Sequence, residues 1–362
     1  MPIPGDPAHY LTPANMAGIE PVRIGVALPL SHPAPETRAV AQALLDAAQL
    51  AVFESNNKRL LLIPHDTLGS AEGAASATSE SLSDGAEVIV GPLFAQEVSA
   101  AAGVSRARNI PSVAFSTDRG VAGGGVYLLS FQPEEEVWRI ISYAKSRGHT
   151  KFAGLFPQSP YGQLVESAFR RSVAAAGGTI IVTASYAQDS QGMLEPVQTV
   201  AAAEFDAILL ADGGGALSQL ARLLVYNGVD PARVKFLGTG LWDDPSILNE
   251  PAVAGGWFAA PDPQLRIAFA NRFNQVYGYA PPRIASLAYD AITLVNSYSN
   301  GRPFKRFLLT TFSDPNGFAG LDGIFRFRPD GTIERGLAVV EVGQGKFNVL
   351  TRAPRSFQGA SF

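Results

Sequence analysis

Short apolar runs alternate along this chain with longer amphipathic segments. The first run, residues 22–30 (VRIGVALPL), is followed by residues 36–55, in which apolar side chains recur every four positions from Val40 to Val52. A spacing of four places these side chains on one face of an α-helix. The pattern therefore predicts a buried strand followed by an amphipathic helix.

The alternation continues as far as residue 237 and predicts an α/β fold with parallel sheets. Further strands are expected at residues 60–64, 88–91, 112–115, 151–156, 179–183, 207–210 and 234–237. Helices are expected at residues 74–82, 96–106, 134–147, 161–176, 194–203 and 216–226. A break near Gln132 divides these roughly eight strands into two sets. A single sheet would satisfy the pattern, but two smaller doubly wound sheets fit the chain length better.

The C-terminal part of the chain follows a different pattern. Helices are expected at residues 263–277 and 285–299, and strands at residues 323–327, 337–342 and 346–350. The turn sequences Pro329-Asp330-Gly331 and Gly343-Gln344-Gly345 separate these strands. Turns of this composition favour antiparallel hairpins.

Composition and charge narrow the classes of function. The chain has 362 residues, a formal net charge of −4 and 46% hydrophobic residues. This balance argues against a nucleic-acid-binding protein, which needs a basic face to neutralise phosphates. The chain has no cysteine, which excludes disulfides and thiol catalysis and argues against a structural zinc site. We predict neither a metal nor a cofactor.

Motifs of common enzyme chemistry are missing from the sequence. There is no GxxxxGK[ST] phosphate loop, no HExxH motif and no GxSxG nucleophile elbow. The glycine runs at residues 123–125 and 213–215 lack the GxGxxG spacing that admits a pyrophosphate. We therefore predict that the protein is not an enzyme.

The N-terminal segment, residues 1–21, is rich in proline and small residues. It has neither the basic start nor the apolar core of a signal peptide, and we interpret it as a flexible tether. We hypothesise that an export signal, which could also carry a lipid anchor, preceded this segment and was removed. No apolar run approaches the ~18 residues of a transmembrane helix, so we expect no transmembrane segment.

The candidate site lies in the loops that follow the predicted strands, because ligands of open α/β sheets bind beyond the carboxyl ends of the strands. These loops contain hydroxyls, which suit a ligand carboxylate, single carboxylates, and aromatic rings, which bury apolar ligand surface. Each such residue could instead cap a helix, close a turn or pack in the core. The predicted ligand contacts are Ser31, Phe94, Ser116, Thr117, Asp118, Tyr161, Asp212, Thr239, Trp242 and Asp243.

Three segments together resemble the leucine/isoleucine/valine-binding family of type I periplasmic binding proteins. They are IGVALPLSHP, GPLFAQEVSAAAGVSRARNIPSVAFSTD and FPQSPYGQLVESAFRRSVAAAGGTI. The resemblance extends from Val22 to Leu350. Four other segments are similar to alphaproteobacterial proteins grouped with lipoprotein activators of penicillin-binding proteins, namely FSTDRGVAGGGV, LGTGLWDDP, GGWFAAPDP and GIFRFRPDGTIERGLAVVEV.

The resemblance implies two doubly wound lobes joined by three crossovers, with a ligand cleft between the lobes. One lobe would comprise residues 22–131 and 262–325. The other would comprise residues 132–261 and 326–362.

The resemblance also implies roles for single residues. The hydroxyls that hold a ligand carboxylate correspond to Ser116 and Thr117, and the tyrosine of the YG element corresponds to Tyr161. The family's acidic partner of a ligand ammonium would fall near Gly240, which has no side chain, so that Asp243 or Asp212 would have to replace it. An altered ligand, more apolar or aromatic than a standard amino acid, is therefore expected, or none at all.

Two functions follow from the resemblance. The first is a periplasmic solute-binding protein that binds a small molecule, such as an amino acid or a related compound, in the cleft and presents it to an ABC transporter permease. The alternative is a lipoprotein-type activator of a penicillin-binding protein, which would act on a peptidoglycan synthase by protein–protein contact. Both imply a periplasmic protein with no nucleic-acid partner.

Overall fold

The structure is a computed structural model that describes residue 10, residues 12–187 and residues 192–357. The described chain folds as two compact units. The first unit contains the described residues up to Ser130, Leu265–Glu334, and residues 356 and 357. The second unit contains the described residues of Phe131–Gln264 and of Arg335–Arg355.

The first unit begins with βαβ repeats at the positions that the hydrophobic pattern indicates. Its elements in this part of the chain are β1 (Val22–Leu28), α1 (Pro35–Glu54), β2 (Leu60–Asp66), α2 (Ala71–Ser83), β3 (Val88–Val90), α3 (Ala95–Ala107), β4 (Ser112–Ala114) and β5 (Val126–Leu128).

Five parallel strands form the sheet of the first unit in the order β2-β1-β3-β4-β5. Ile24 of β1 pairs with Leu62 on one side and Val88 on the other. Every residue of β1 is buried, as expected for a strand that helices cover on both faces. Because the strands are parallel, the loops after β1, β3 and β4 leave the sheet at the same edge.

Strand β5 was not predicted from the sequence. It has three residues, follows three glycines and pairs with β4 alone at the edge of the sheet. Such a short run has no periodicity to detect. Its pairing comes from Val113 and Tyr127, which are both buried.

The second unit repeats the same alternation. Its elements are α4 (Pro133–Ser146), β6 (Lys151–Pro157), α5 (Pro160–Ala175), β7 (Thr179–Tyr186), α6 (Leu194–Ala201), β8 (Ala207–Leu210), α7 (Gly214–Tyr226), β9 (Lys235–Gly238) and β10 (Trp257–Ala260). The other α-helices and strands of the described residues are α8 (Pro263–Tyr277), α9 (Ala285–Ser297), β11 (Phe318–Gly320), β12 (Gly323–Phe327), β13 (Ile333–Arg335), β14 (Ala338–Val342) and β15 (Phe347–Thr351).

The sheet of the second unit has seven strands in the order β15-β14-β10-β9-β8-β6-β7. Strands β6 to β10 are parallel, whereas β14 runs antiparallel to β10 and to β15. The antiparallel hairpin predicted from Gly343-Gln344-Gly345 is therefore confirmed. Strand β10 was missed, because its four residues, all buried, follow two glycines and are too few to show a period.

The other predicted hairpin needs a correction. The turn Pro329-Asp330-Gly331 does not lead from β12 to β14; it leads to β13, which neighbours β12 in a separate three-stranded sheet with β11. The backbone N–H of Arg328 donates to the carbonyl of Thr332 at 2.7 Å and closes this turn. Strand β13 escaped prediction because its sequence, Ile-Glu-Arg, contains a single apolar residue.

The interpretation of residues 1–21 as a flexible tether is wrong for the part of it that the structure describes. Tyr10 packs against Phe304 with ring centroids 5.2 Å apart and an interplanar angle of 42°, and Met16 is buried within a short 3-10 turn, Ala14–Met16. These side chains find apolar partners, so the segment is fixed to the first unit. Residues 1–9 and 11 lie outside the described residues.

Candidate functional site

A cavity of about 540 Å³ lies in the first unit at the carboxyl edge of its sheet. This volume falls in the range of small-molecule sites. Its walls are mainly apolar and come from α1, from the loops after β3 and β4, and from the residue before α9. The lining residues are Glu36, Thr37, Val40, Leu93, Phe94, Ala95, Phe115, Ser116, Thr117, Asp118 and Ile284.

The loop after β4 brings three predicted contacts into this cavity. Ser116 is 5% exposed, and its Oγ accepts a hydrogen bond from the backbone N–H of Asp118 at 3.1 Å. Asp118 in turn accepts from the N–H of Gly120 at 2.8 Å and caps a 3-10 turn. Thr117 is exposed, and its hydroxyl has no hydrogen-bond partner among the residues that the structure describes. The loop therefore offers one free hydroxyl and one whose proton is still available to a ligand.

Phe94 occupies the loop after β3, at the N-cap of α3. Its backbone N–H donates to Oε2 of Glu97 at 2.9 Å, and the hydroxyl of Thr67 donates to Oε1 of the same carboxylate. Glu97 is fully buried, and this burial raises the pKa of its carboxyl above its usual value, although hydrogen bonds from Thr67, Phe94 and Leu93 act to lower it. A buried carboxylate therefore fixes the backbone at Phe94.

Ser31 does not line the cavity, although it was predicted to contact the ligand. It is exposed, and its backbone N–H donates to Oδ1 of Asp66 at 3.2 Å. Burial alone would raise the pKa of the Asp66 carboxyl, but hydrogen bonds from Ser31, Leu68 and Leu30 outweigh it and lower that pKa. Ser31 is thus engaged within its own loop, where it joins the ends of β1 and β2.

The second unit places a tyrosine and a threonine together at the carboxyl edge of its own sheet. The Oη of Tyr161, in the first turn of α5, lies 2.8 Å from Oγ1 of Thr239, which follows β9. Burial raises the pKa of the Tyr161 phenol well above its usual value, and the negative charges of Glu136 and Asp212 raise it further. The phenol is therefore a neutral hydrogen-bonding group at physiological pH.

Asp212 follows β8 at the same edge and is held by two donors. The phenol of Tyr186 donates to its Oδ2 at 2.8 Å, and the N–H of Gly213 donates to its Oδ1 at 2.9 Å. Burial and the charge of Asp212 together raise the pKa of Tyr186 far above its usual value. The structure thus brings Tyr161, Thr239 and Asp212 to one edge of the sheet, and their role as ligand contacts stays a prediction.

Glu136 belongs to this edge, and sequence reasoning missed it. Its Oε2 accepts the backbone N–H of Gly240 at 2.9 Å, and a Cβ on Gly240 would lie only 2.6 Å from its Oε1. The Glu136 carboxylate thus occupies the space that a side chain at residue 240 would need. Helix α4 has three successive glutamates in its first turn. Glu136 is the one that shares the buried face of the helix with Ile140 and Ala144, at intervals of four residues. This spacing could have identified it from the sequence.

The structure corrects the prediction that Trp242 contacts a ligand. Its side chain is 0% exposed and belongs to the hydrophobic core of the second unit with Phe258. The indole fills space left by two glycines, since a Cβ on Gly238 would lie 2.2 Å from it and one on Gly256 2.7 Å. Trp242 therefore packs in the core next to the loop that follows β9. Asp243, the next residue, is partly buried and ends the 3-10 turn Gly240–Trp242.

The described ranges contain neither a candidate metal cluster nor a helix that could span a membrane. No group of three or more histidine, cysteine, aspartate or glutamate side chains there has the arrangement to hold a metal ion. Among the helices of the same ranges, none is long and apolar enough to cross a membrane.

Solved structures of similar fold come from bacterial transport systems. A protein of Rhodospirillum rubrum named for a branched-chain amino acid ABC transporter matches with a TM-score of 0.80 and 19% identity, over 91% of this chain and 100% of that one. The solute-binding protein of an ABC transporter from Rhodopseudomonas palustris BisB5, in complex with 3,4-dihydroxybenzoic acid, matches with a TM-score of 0.67 and 18% identity, over 94% and 98% of the two chains.

A third match is the branched-chain amino acid substrate-binding protein LivJ of Streptococcus pneumoniae, in complex with isoleucine. Its TM-score is 0.66 and its identity 19%, over 92% of this chain and 100% of that one. At these identities the likeness establishes the fold alone. Curated protein sequences give no match to the chain.

The family described as periplasmic binding protein matches residues 21–346. This match agrees with the two α/β units and their parallel sheets. The similarity to penicillin-binding protein activators stays a prediction. Since the match covers most of the chain, the chain belongs to the periplasmic binding protein family.

Proposed function

We propose that this protein is a periplasmic solute-binding protein that binds a small amino acid or a related acid and delivers it to an ABC-type permease. The observation that carries the proposal is the cavity of the first unit, where the hydroxyls of Ser116 and Thr117 border apolar walls. Such a combination of few polar groups and apolar surface is typical of a small-molecule site.

The hydroxyls of Ser116 and Thr117 suit a ligand carboxylate. Each can donate an O–H, and a hydrogen bond to a charged group contributes about 1.5–3 kcal/mol. Thr117 has its donor free, and Ser116 accepts from the Asp118 backbone through a lone pair and keeps its proton.

Two carboxylates, Glu36 and Asp118, also line the cavity. They disfavour a ligand that carries only negative charge, and they favour one that carries an ammonium or another donor beside its acid. Both are exposed, so water and salt reduce this effect without removing it. An amino acid satisfies both the hydroxyls and the carboxylates.

In the second unit we propose Tyr161, Thr239 and Asp212 as ligand contacts in their own right, with Glu136 against Gly240 and Asp243 in the same loop as Thr239. Their neutral phenol and hydroxyl can donate or accept, and the carboxylates accept only. This set suits a ligand with several hydrogen-bond donors.

The comparisons support transport over cell-wall activation. The R. palustris protein is named for an ABC transporter and the S. pneumoniae protein for amino-acid transport, and their complexes contain an aromatic acid and an amino acid. The periplasmic location is proposed from the family.

A thermal-shift screen tests the proposal with L-isoleucine, L-leucine, L-phenylalanine and 3,4-dihydroxybenzoate as probes. A probe present at a hundred times its Kd stabilises the folded protein by about 2.7 kcal/mol and raises its melting temperature. Thr117→Val keeps the shape of an exposed side chain and removes only the hydroxyl. We expect the variant to melt at the same temperature as the wild type without ligand and to bind at least about tenfold more weakly. Unchanged melting with every probe would contradict the proposal.

A further inference from the structure

We propose that the cavity of the first unit selects ligands that carry an aromatic ring, with Phe94 as the contact of that ring and His32 as a positioning residue. This inference rests on the proposed function and specifies the ligand class of the same cavity.

The backbone at Phe94 is fixed from inside the first unit. Its N–H is bound by the fully buried Glu97 carboxylate, which also accepts from Thr67. Residue 94 is also the N-cap of α3, and the carbonyl of Phe94 accepts the N–H of Val98 at 2.9 Å. These contacts leave the Cα–Cβ bond of Phe94 with one direction.

The ring of Phe94 is held by His32. The two ring centroids lie 5.7 Å apart at an interplanar angle of 47°. The N–H of Ala34 donates to Nδ1 of His32 at 3.1 Å, and Arg38 donates to its carbonyl oxygen at 2.8 Å. His32 is therefore anchored at both its ring and its backbone.

Gly69 completes the support of His32 from the other side. Its φ of +73° lies in the left-handed region, and a Cβ there would lie 2.1 Å from Cδ2 of His32. The imidazole thus rests directly on this glycine. The carbonyl of Gly69 also accepts the side-chain amide of Gln96, in the first turn of α3, at 3.2 Å. His32 therefore packs between Gly69 and Phe94, and Phe94 lines the cavity.

A wall held in this way favours a planar partner. Aromatic pairs contribute about 0.5–1.5 kcal/mol beyond the apolar area that they bury, provided that their geometry is fixed. A rigid ring pays little conformational entropy when a ligand ring packs against it. The remaining apolar walls, Val40, Leu93 and Ile284, contact any apolar ligand without such a preference.

The test uses two ligands that share a zwitterionic head and nearly the same size, L-phenylalanine and L-cyclohexylalanine. Isothermal titration of the whole chain gives the ratio of their dissociation constants. We expect the wild type to bind L-phenylalanine about two- to tenfold more tightly, the range that aromatic pairing provides. In Phe94→Leu the ratio should fall to about one, because leucine has no ring to pair with the ring of the ligand. If Phe94 only filled space, the ratio would not change.

Three further variants separate selectivity from folding. Phe53→Leu removes an exposed phenylalanine from the far end of α1, outside the cavity, and should keep the wild-type ratio. Phe94→Trp retains an aromatic ring and should restore the preference. His32→Ala leaves Phe94 in place and should lower the ratio, since the ring is no longer held.

Each outcome decides the inference. Equal binding of the two probes by the wild type, or an unchanged ratio in Phe94→Leu, overturns it and leaves the proposed function standing. The inference is also overturned, and the proposed function stands, if L-leucine binds and neither L-phenylalanine nor L-cyclohexylalanine does. If none of the three amino acids binds, and 3,4-dihydroxybenzoate does not bind either, the proposed function fails together with the inference.

Discussion

The carboxyl edges of the two sheets use the same topology for different chemistry. In the first unit the edge encloses an apolar cavity with two hydroxyls, and its aromatic wall is braced by a buried carboxylate, Glu97. In the second unit the edge carries phenols and carboxylates that are bonded to one another, over a core that contains Trp242. The first edge presents apolar surface with two hydroxyls, whereas the second edge presents hydrogen-bonding groups and negative charge.

The two units hold the residues at these edges in place by different kinds of contact. The first unit holds Phe94 through backbone hydrogen bonds and through His32, which packs on Gly69. The second unit holds Tyr161 and Asp212 through side-chain hydrogen bonds to Thr239 and Tyr186, above a core in which the Trp242 indole packs against Gly238. Substitutions that act on one kind of support should leave the other unchanged.

The largest effect is expected from Gly238→Ala. The new Cβ would lie 2.2 Å from Trp242, so the core of the second unit must shift, at a cost of about 1–3 kcal/mol. Gly103→Ala in α3 is the matched control, because a Cβ there meets nothing within 4 Å; it should stabilise the first unit by up to about 1 kcal/mol. Urea unfolding measures both. Equal midpoints for the two variants would contradict the account.

A smaller loss is expected from Tyr186→Phe. The change removes one hydrogen bond to Asp212 and leaves a buried carboxylate oxygen without that donor, which costs about 1–2 kcal/mol. Tyr226→Phe changes the same group where it is 86% exposed, and should alter stability by less than about 0.5 kcal/mol. Thermal unfolding of the pair measures the difference, and a Tyr186→Phe variant as stable as Tyr226→Phe would show that the network adds nothing.

The smallest effect is expected from Glu97→Gln, whose stability should differ from that of the wild type by an amount that depends on pH. Burial raises the pKa of Glu97 in the folded protein above the usual 4.5, so this group's stabilisation is fully present below that value and is lost as the pH rises through the folded pKa. Glu97→Gln has the same shape and no such loss. The stability of the variant relative to the wild type should therefore increase as the pH rises from below 4.5. Urea unfolding across this pH range measures the difference, and a difference that is constant with pH would contradict the assigned burial.

Much of the fold could be predicted from the sequence, because long strands and amphipathic helices carry a period. Strand β8 and helix α8 coincide with their predicted bounds, and α1 differs by one residue at each end. The elements that were missed, β5, β10, β11 and β13, have three or four residues and are defined by their pairing partners. A period cannot appear over so few positions.

The candidate site was predicted less completely, for a related reason. Position after a strand identified Phe94, Ser116 and Thr117, because parallel strands present their loops at one edge. It could not tell that Trp242 points into the core, since that depends on glycines 18 positions apart in the chain, Gly238 and Gly256. It also omitted Glu136, whose helix does not follow a strand of the predicted sheet.

The most direct test of the central claim is a crystal structure of the protein grown with L-phenylalanine. The account predicts a carboxylate oxygen of the ligand about 2.5–3.0 Å from Oγ1 of Thr117, the distance of an O–H···O hydrogen bond. It also predicts that the ligand ring lies in the first unit's cavity, against Phe94. A bound ligand that contacts neither Thr117 nor Phe94 would contradict the account.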